Sequence, residues 1–276
     1  MQSRVDATQF IGKLRGATQS VLTRCSNDCY YVVKFTNNPE GLIAILSEVI
    51  TARLGSHLGL PMPSFEYIHV GKWLLDHSPD IRISVGGTST NYDPGLHFGS
   101  KTPCRSEGAN GLCLPSPLLI ARIADPATFA GALVLDAWTG GADRREVIFA
   151  RSALSGPSQP QFIDHHQSFN GWDDPFRSPN STPHYFRTEF YDFIRGWLSF
   201  EPWLSIAETT NSNTLHALVR NVAPEWHVSQ SFQDAIVTHL IRRQRLIRSQ
   251  IAHLRDRETS LFLNWNRAQS VRNGTA

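Results

Sequence analysis

YYVVKFTNNPEGLIAILSEVI, residues 30–50, places one charge in each of two segments that otherwise read as core. Lys34 stands in an aromatic and β-branched run, and Glu48 follows fourteen positions later among Leu, Ile and Val. A charge carried into a core is costly unless it is paired there. Any fold this stretch adopts must therefore supply both charges with partners. CYYVVKF, rich in Tyr and Val, predicts a strand. TNNPEGLIAILSEVITARLGSHLGL predicts a helix, with apolar residues recurring at Leu42, Ile45, Leu46, Val49, Ile50 and Leu54. Asn37 or Asn38 can cap it, Pro39 suits its first turn, and Gly59 is a stop signal. In that register Glu48 lies a turn after Ile45 and a turn before Ala52, on or near the packed face.

On the N-terminal side, ATQFIGKLRG and TQSVLTRC are strand candidates joined by Arg15-Gly16-Ala17, where the glycine permits a tight turn. LPMPSFEYIHV predicts a fourth strand. From about Lys72 to Pro117 the pattern weakens: GGTSTNYDPG and TPCRSEGANG read as loops around the short apolar piece LHFG, and a connection between lobes is expected there. Beyond it DPATFAGALVLDAWTG predicts a helix capped by Asp125, with Pro126 in its first turn. EVIFARS and QPQFIDH predict two short strands. HYFRTEFYDFIRGW, SNTLHALVRNV and FQDAIVTHLIRRQRLIRSQIAHL predict helices, the last carrying six arginines between Arg242 and Arg257. These read as a solvated basic face, with a phosphate or acidic partner as the sharper alternative.

The chain's 276 residues, 41% hydrophobic and 18% charged, are enough for a sizeable core in one large domain or two packed lobes. A net charge of +2 gives no global footprint for nucleic acid. No apolar run reaches the roughly 18 residues that span a bilayer, and MQSRVDATQFIGKLRG lacks the apolar stretch of a signal peptide. A cytoplasmic location, no membrane association and free thiols at Cys25, Cys29, Cys104 and Cys113 are expected. The cysteine spacing does not suit zinc.

A strand lysine facing a helical glutamate is an arrangement that phosphotransferases use to grip the α- and β-phosphates of ATP: the ammonium neutralises phosphate charge and the carboxylate fixes the ammonium. A plain structural pair would satisfy the same two residues, so the rest of the chain decides. A glycine-bearing hairpin precedes Lys34, and Gly12 and Gly16 with the small Ala17, Thr18 and Ser20 would let backbone N–H groups approach phosphates. LDAWTGGADRREVIF runs from a helix through a Gly-Gly turn to Asp143, on a loop with rigid flanks. Twenty-one residues later Asp164 ends an apolar strand in FIDHH, a good position for a metal-binding carboxylate.

In that order of parts the chain resembles the HipA-like branch of the protein-kinase-like superfamily. The similarity runs from about Phe10 to Trp203, through KLRGATQS, YYVVKFTNNP, SEVITARLGSHLGLPMP, GLHFGS, DAWTGGADRREVIF and FIDHHQSF. It implies an α+β, bilobal kinase fold, with a small β-rich N-terminal lobe over residues 1–100 carrying one helix. A larger, mainly helical lobe over 101–276 carries the catalytic and metal-binding loops. It further implies ATP with Mg²⁺ and phosphoryl transfer to a Ser/Thr hydroxyl. By position Lys34 contacts the phosphates, Glu48 orients Lys34, Asp143 is the catalytic aspartate and Asp164 chelates Mg²⁺. The chain departs from the family pattern at three places. Gly141-Ala142 stands where an asparagine commonly precedes the loop aspartate. Ile148 stands where a second metal-binding asparagine is common, leaving Glu146 as the nearby oxygen donor. His166 stands where a glycine follows the metal aspartate.

The expected function is therefore an ATP- and Mg²⁺-dependent protein kinase acting on a Ser/Thr hydroxyl of a protein substrate. The alternatives are a pseudokinase that binds nucleotide and works through protein partners, or a kinase with a small-molecule hydroxyl acceptor. The resemblance also admits a small antitoxin-like partner; direct nucleic-acid binding is not expected.

Overall fold

The computed structural model describes residues 4–102, 123–141, 145–151, 158–169, 184–185 and 187–265. Its first part is a closed five-stranded barrel. β1 (Val5–Lys13) pairs antiparallel with β2 (Val21–Cys25), and β2 with β3 (Tyr30–Lys34). The chain then forms α1 (Gly41–His57), β4 (Phe65–Val70), the short α2 (Lys72–Asp76), the hairpin β5 (Arg82–Val85) and β6 (Thr88–Asn91), and β7 (Gly95–Thr102). β7 lies between β3 and β4, antiparallel to both, and a parallel pairing of Val5 with Ile68 closes the ring. Closure removes the exposed edges that open sheets carry. Val21, Tyr31, Val33, Phe35, Ile68 and Val70 fill the interior.

The region expected as loops thus holds the hairpin and the central barrel strand. LHFG belongs to an eight-residue strand whose Gly99, Ser100 and His97 give it little β signal of its own. Its neighbours on both sides supply the pairing, and Gly99 is needed there. A Cβ at Gly99 would come within 2.4 Å of Ile68 Cγ1. Thr102 ends β7, and the rest of TPCRSEGANG, with Cys104, lies outside the described residues, as does Cys113; Cys25 and Cys29 are unbridged.

α1 is buried without a break from Ala44 to Ala52, so the apolar stripe of the sequence has become a helix enclosed on nearly every side. It starts later than expected. Asn38 closes a turn of its own, donating to Phe35 O at 2.6 Å and accepting from Glu40 N–H at 2.8 Å, and the helix begins only at Gly41. Gly59 follows the helix end in the left-handed region, φ 75°, as a stop signal should.

α3 (Thr128–Thr139) is buried at every position, and Phe129, Leu133, Val134 and Trp138 join Ile45, Leu46, Val49 and Ile50 of α1 in one core. Asp125 lies in the turn before it, where its carboxylate accepts from Ala127 N–H, rather than at the cap itself. β8 (Glu146–Arg151) and β9 (Ser158–Ile163) form an antiparallel hairpin in which Glu146 is opposite Ile163. Helices α4 (Trp203–Thr209), α5 (Ser212–Arg220), α6 (Gln230–Gln244) and α7 (Ile247–Arg257) complete the described fold. Among the described residues no helix is long and apolar enough to cross a membrane.

Three expectations change here. HYFRTEFYDFIRGW yields 3-10 turns at Thr188–Tyr191 and Trp197–Phe200 instead of an α-helix. Aromatic contacts set that path, with Phe190 stacked 4.4 Å from Phe129. The long C-terminal helix is two helices broken at Arg245-Leu246, with no glycine or proline to signal it. Its arginines are not one free basic face. Arg243 is 1% exposed and donates to Ala137 O and Trp138 O, capping the end of α3. Arg248 pairs with Glu208 and lies over Trp197, while Arg255 lies over Trp265.

Candidate active site

The alternation of β3 explains the lysine in its apolar run. Tyr31 and Val33 point into the barrel, while Val32 and Lys34 face a cavity of about 440 Å³ on its other side. That volume suits a small-molecule site, for which about 300–1,000 Å³ is usual. Leu22, Val32, Ala52, Met62, Phe98 and Phe162 give the cavity apolar walls. Leu14 to Ser20 overhang it, with Gly16 in the left-handed region at φ 134°.

At the cavity's inner end Lys34 Nζ donates to Glu48 Oε1 and, at 2.7 Å, to Asp164 Oδ1. Glu48 Oε1 also accepts from His165 N–H at 3.0 Å, and His166 Nδ1 lies 2.5 Å from Asp164 Oδ1. Barrel strand, enclosed helix and the segment after β9 thus meet at one ammonium. Burial alone would lower the Lys34 ammonium, but Glu48 and Asp164 outweigh it and hold it above the ordinary lysine value. Burial likewise opposes ionisation of Asp164, yet Lys34 and then His166 hold its carboxyl well below the usual range. Burial pushes Glu48 up. Two carboxylates share one ammonium, and the His166 imidazole faces one of them.

A second buried network stands behind this one. The Arg145 guanidinium forks onto the Asp136 carboxylate of α3 and donates to His165 Nδ1. His165 Nε2 then donates to Phe162 O at 3.3 Å, so both of its ring nitrogens are engaged. Burial, then the Arg145 and Lys34 charges, push His165 well below its ordinary value and keep it neutral. Gly140 ends α3 in the left-handed region, φ 72°, and Arg145 is locked by its fork.

Of the residues singled out in the sequence, Gly16, Thr18, Lys34, Glu48, Glu146 and Asp164 line this one cavity. Gly12 is paired with Leu22 inside the sheet and Ala17 is exposed on the hairpin; neither is in the wall. Asp143 lies outside the described residues. Glu146 is exposed towards the cavity across the ladder from Ile163, the residue before Asp164. Ile148, one strand period on, contributes apolar wall where the family pattern suggests a ligand. The sequence reading missed the Asp136–Arg145–His165 network and the His166–Asp164 contact. The apolar slot was missed as well. Its walls Leu22, Val32 and Phe98 come from three separate strands, so no single stretch of sequence signals it.

The barrel with its enclosed glutamate helix, the strand lysine and the strand-end aspartate define the protein-kinase-like class of fold. Structural comparison agrees. The proinflammatory kinase CtkA of Helicobacter pylori superposes with a TM-score of 0.54 at 14% identity, over 91% of this chain and 98% of that one. A Golgi casein kinase superposes with a TM-score of 0.51 at 14% identity, over 92% of this chain and 73% of that one. No curated protein sequence matches. A match to the HipA-like kinase family extends over residues 9–256, and the chain belongs to that family.

Proposed function

We propose that this kinase transfers the γ-phosphoryl group of ATP to a Ser/Thr-type hydroxyl with the help of a divalent ion, Mg²⁺ in the reading from family resemblance. The observation that carries this is the convergence of Lys34, Glu48 and Asp164 at the inner end of a cavity overhung by a glycine hairpin. An ammonium has three donors. Glu48 and Asp164 take two from Lys34, which leaves one for a phosphate oxygen. Glu48, fixed by the His165 N–H, holds the ammonium in place. The apolar slot between Leu22, Val32, Met62 and Phe162 suits a flat base. Asp164, with Glu146 across the ladder, offers the oxygen donors that suit a hard cation. A divalent ion held there would neutralise phosphate charge during transfer. Asp143 would orient the acceptor hydroxyl or take its proton. Residues 1–100 and 101–276 would form the two lobes that enclose the nucleotide.

The glycine hairpin is braced from outside. The Gln19 side chain accepts from Ser84 N–H at 2.9 Å and donates to Ser84 O at 2.7 Å. Lys13 Nζ donates to Arg82 O at 2.6 Å. The β5–β6 hairpin thereby holds the loop over the cavity. Gln19→Ala removes two of these bonds, about 1 kcal/mol of ordering, and is expected to raise the dissociation constant for ATP several-fold. The unfolding midpoint without nucleotide should shift little. Calorimetric titration with ATP in the absence of a divalent ion measures this.

Ile148 favours a second reading, a nucleotide-binding pseudokinase, because it offers no ligand where the family pattern suggests one. Thermal stabilisation by ATP and metal, measured beside release of labelled phosphate, separates the two. Transfer by the wild type that is lost in Asp143→Asn, with stabilisation retained, supports the kinase. Stabilisation without any transfer supports the pseudokinase. Undiminished transfer by Asp143→Asn removes that aspartate from the mechanism.

A further inference from the structure

Phosphoryl transfer as described leaves His166 without a task, although its side chain stands inside the charged cluster. The residue is 8% exposed. Its Nδ1 faces Asp164 Oδ1 at 2.5 Å, and its Nε2 is buried with no partner among the described residues. Glu48, Asp164 and His166 each present a ligand atom, all within 4.8 Å of one another. Packing alone would call for an apolar side chain there, since a buried imidazole nitrogen without a partner is costly. His165, one residue earlier, shows what a fully satisfied buried imidazole looks like in this fold.

We propose that His166 joins Glu48 and Asp164 as a protein ligand of the divalent ion, so that the site combines two carboxylates with an imidazole and prefers a first-row transition ion such as Mn²⁺ over Mg²⁺. This deepens the phosphotransfer reading and rests on it for the nucleotide, not for the ion. Mg²⁺ is hard, holds its waters and favours oxygen donors, whereas transition ions accept imidazole nitrogen readily. An ion entering the cluster displaces the proton shared by His166 and Asp164, as metal binding to imidazole generally does. Lys34 sits on both carboxylates already, so ion and ammonium compete until a phosphate group draws the ammonium away. Mn²⁺ affinity is therefore higher with ADP present than without it.

The test loads the full chain with Mn²⁺, alone and with ADP, and records electron spin echo envelope modulation from directly bound nitrogen. Both ring nitrogens of His165 are engaged, so His166 is the imidazole of the cluster free to give that signal. The expected result is nitrogen modulation in the wild type and none in folded His166→Gly. A second expected result is a ratio of Mn²⁺ to Mg²⁺ affinity that falls at least about tenfold in the variant. Bound Mn²⁺ without nitrogen modulation, modulation that persists in His166→Gly, an unchanged affinity ratio, or no Mn²⁺ binding overturns the proposal. The wild-type spectrum decides even if the variant fails to fold. Modulation without any ADP binding leaves the proposal standing and removes the phosphotransfer reading instead.

Discussion

Asp164→Asn is expected to abolish phosphoryl transfer, by a factor of about 10³ or more, in a protein that remains folded. The carboxylate is both the proposed ion ligand and the second acceptor of Lys34, and loss of a charged group that stabilises the transferring phosphoryl typically costs on the order of 10²–10³ by itself. The fold survives because Glu48 still pairs Lys34. The stability cost at neutral pH is about 1–2 kcal/mol, moderated by the partial exposure of Asp164. Its pH dependence has a defined sign. A carboxyl held below its ordinary value in the folded state contributes stability that is present above the unfolded value, 3.8, and lost as pH falls through the folded one. The difference between wild type and Asp164→Asn should accordingly shrink as pH falls from about 5 into stronger acid. Urea unfolding at several pH values measures it. A gap that instead widened in acid would mean that Asp164 is not ionised in the native cluster.

Glu48→Ala should be the more damaging change to the fold. It leaves the Lys34 ammonium with Asp164 alone and strips the His165 N–H of its acceptor, all at a position 2% exposed. Removing one member of a buried ion pair typically costs about 3–5 kcal/mol, because the remaining charge is uncompensated. Transfer should fall about a hundredfold in the protein that does fold, through a misplaced ammonium. Glu48→Gln, which keeps an acceptor for Lys34 and His165, should recover most of the stability but little of the activity. Equal stability losses in the two variants would argue that the charge itself, and not an acceptor of the right size, is what Lys34 and His165 require at this position.

Much of this site was legible in the chain because its charges contradict their surroundings. Lys34 and Glu48 stand out against apolar segments, and Asp164 ends an apolar strand just before two histidines. Such conflicts between local pattern and residue type are where a function leaves its mark. The parts that could not be read have physical reasons too. β7 is a strand because the barrel closes on both its sides, and its glycine, serine and histidine carry no pattern to say so. Arg243 reads as one more surface arginine in RRQR, and only the fold brings the end of α3 to it. Arg145 and Asp136 are nine residues apart on either side of a Gly-Gly turn, a spacing that means nothing until the turn folds them together. In the sequence His166 shows only as a departure from a family glycine. In the fold it faces a carboxylate with one ring nitrogen and has no partner for the other.

The central claim is that the Lys34–Glu48–Asp164 cluster serves transfer of phosphate from ATP. The most direct measurement incubates the wild-type chain with γ-labelled ATP and either Mg²⁺ or Mn²⁺, then follows the label. The account predicts label leaving ATP for a hydroxyl on the protein or an added acceptor, with loss of that transfer in Asp164→Asn. Label that stays on ATP with both ions, in a protein that gains no stability from the nucleotide, would contradict it.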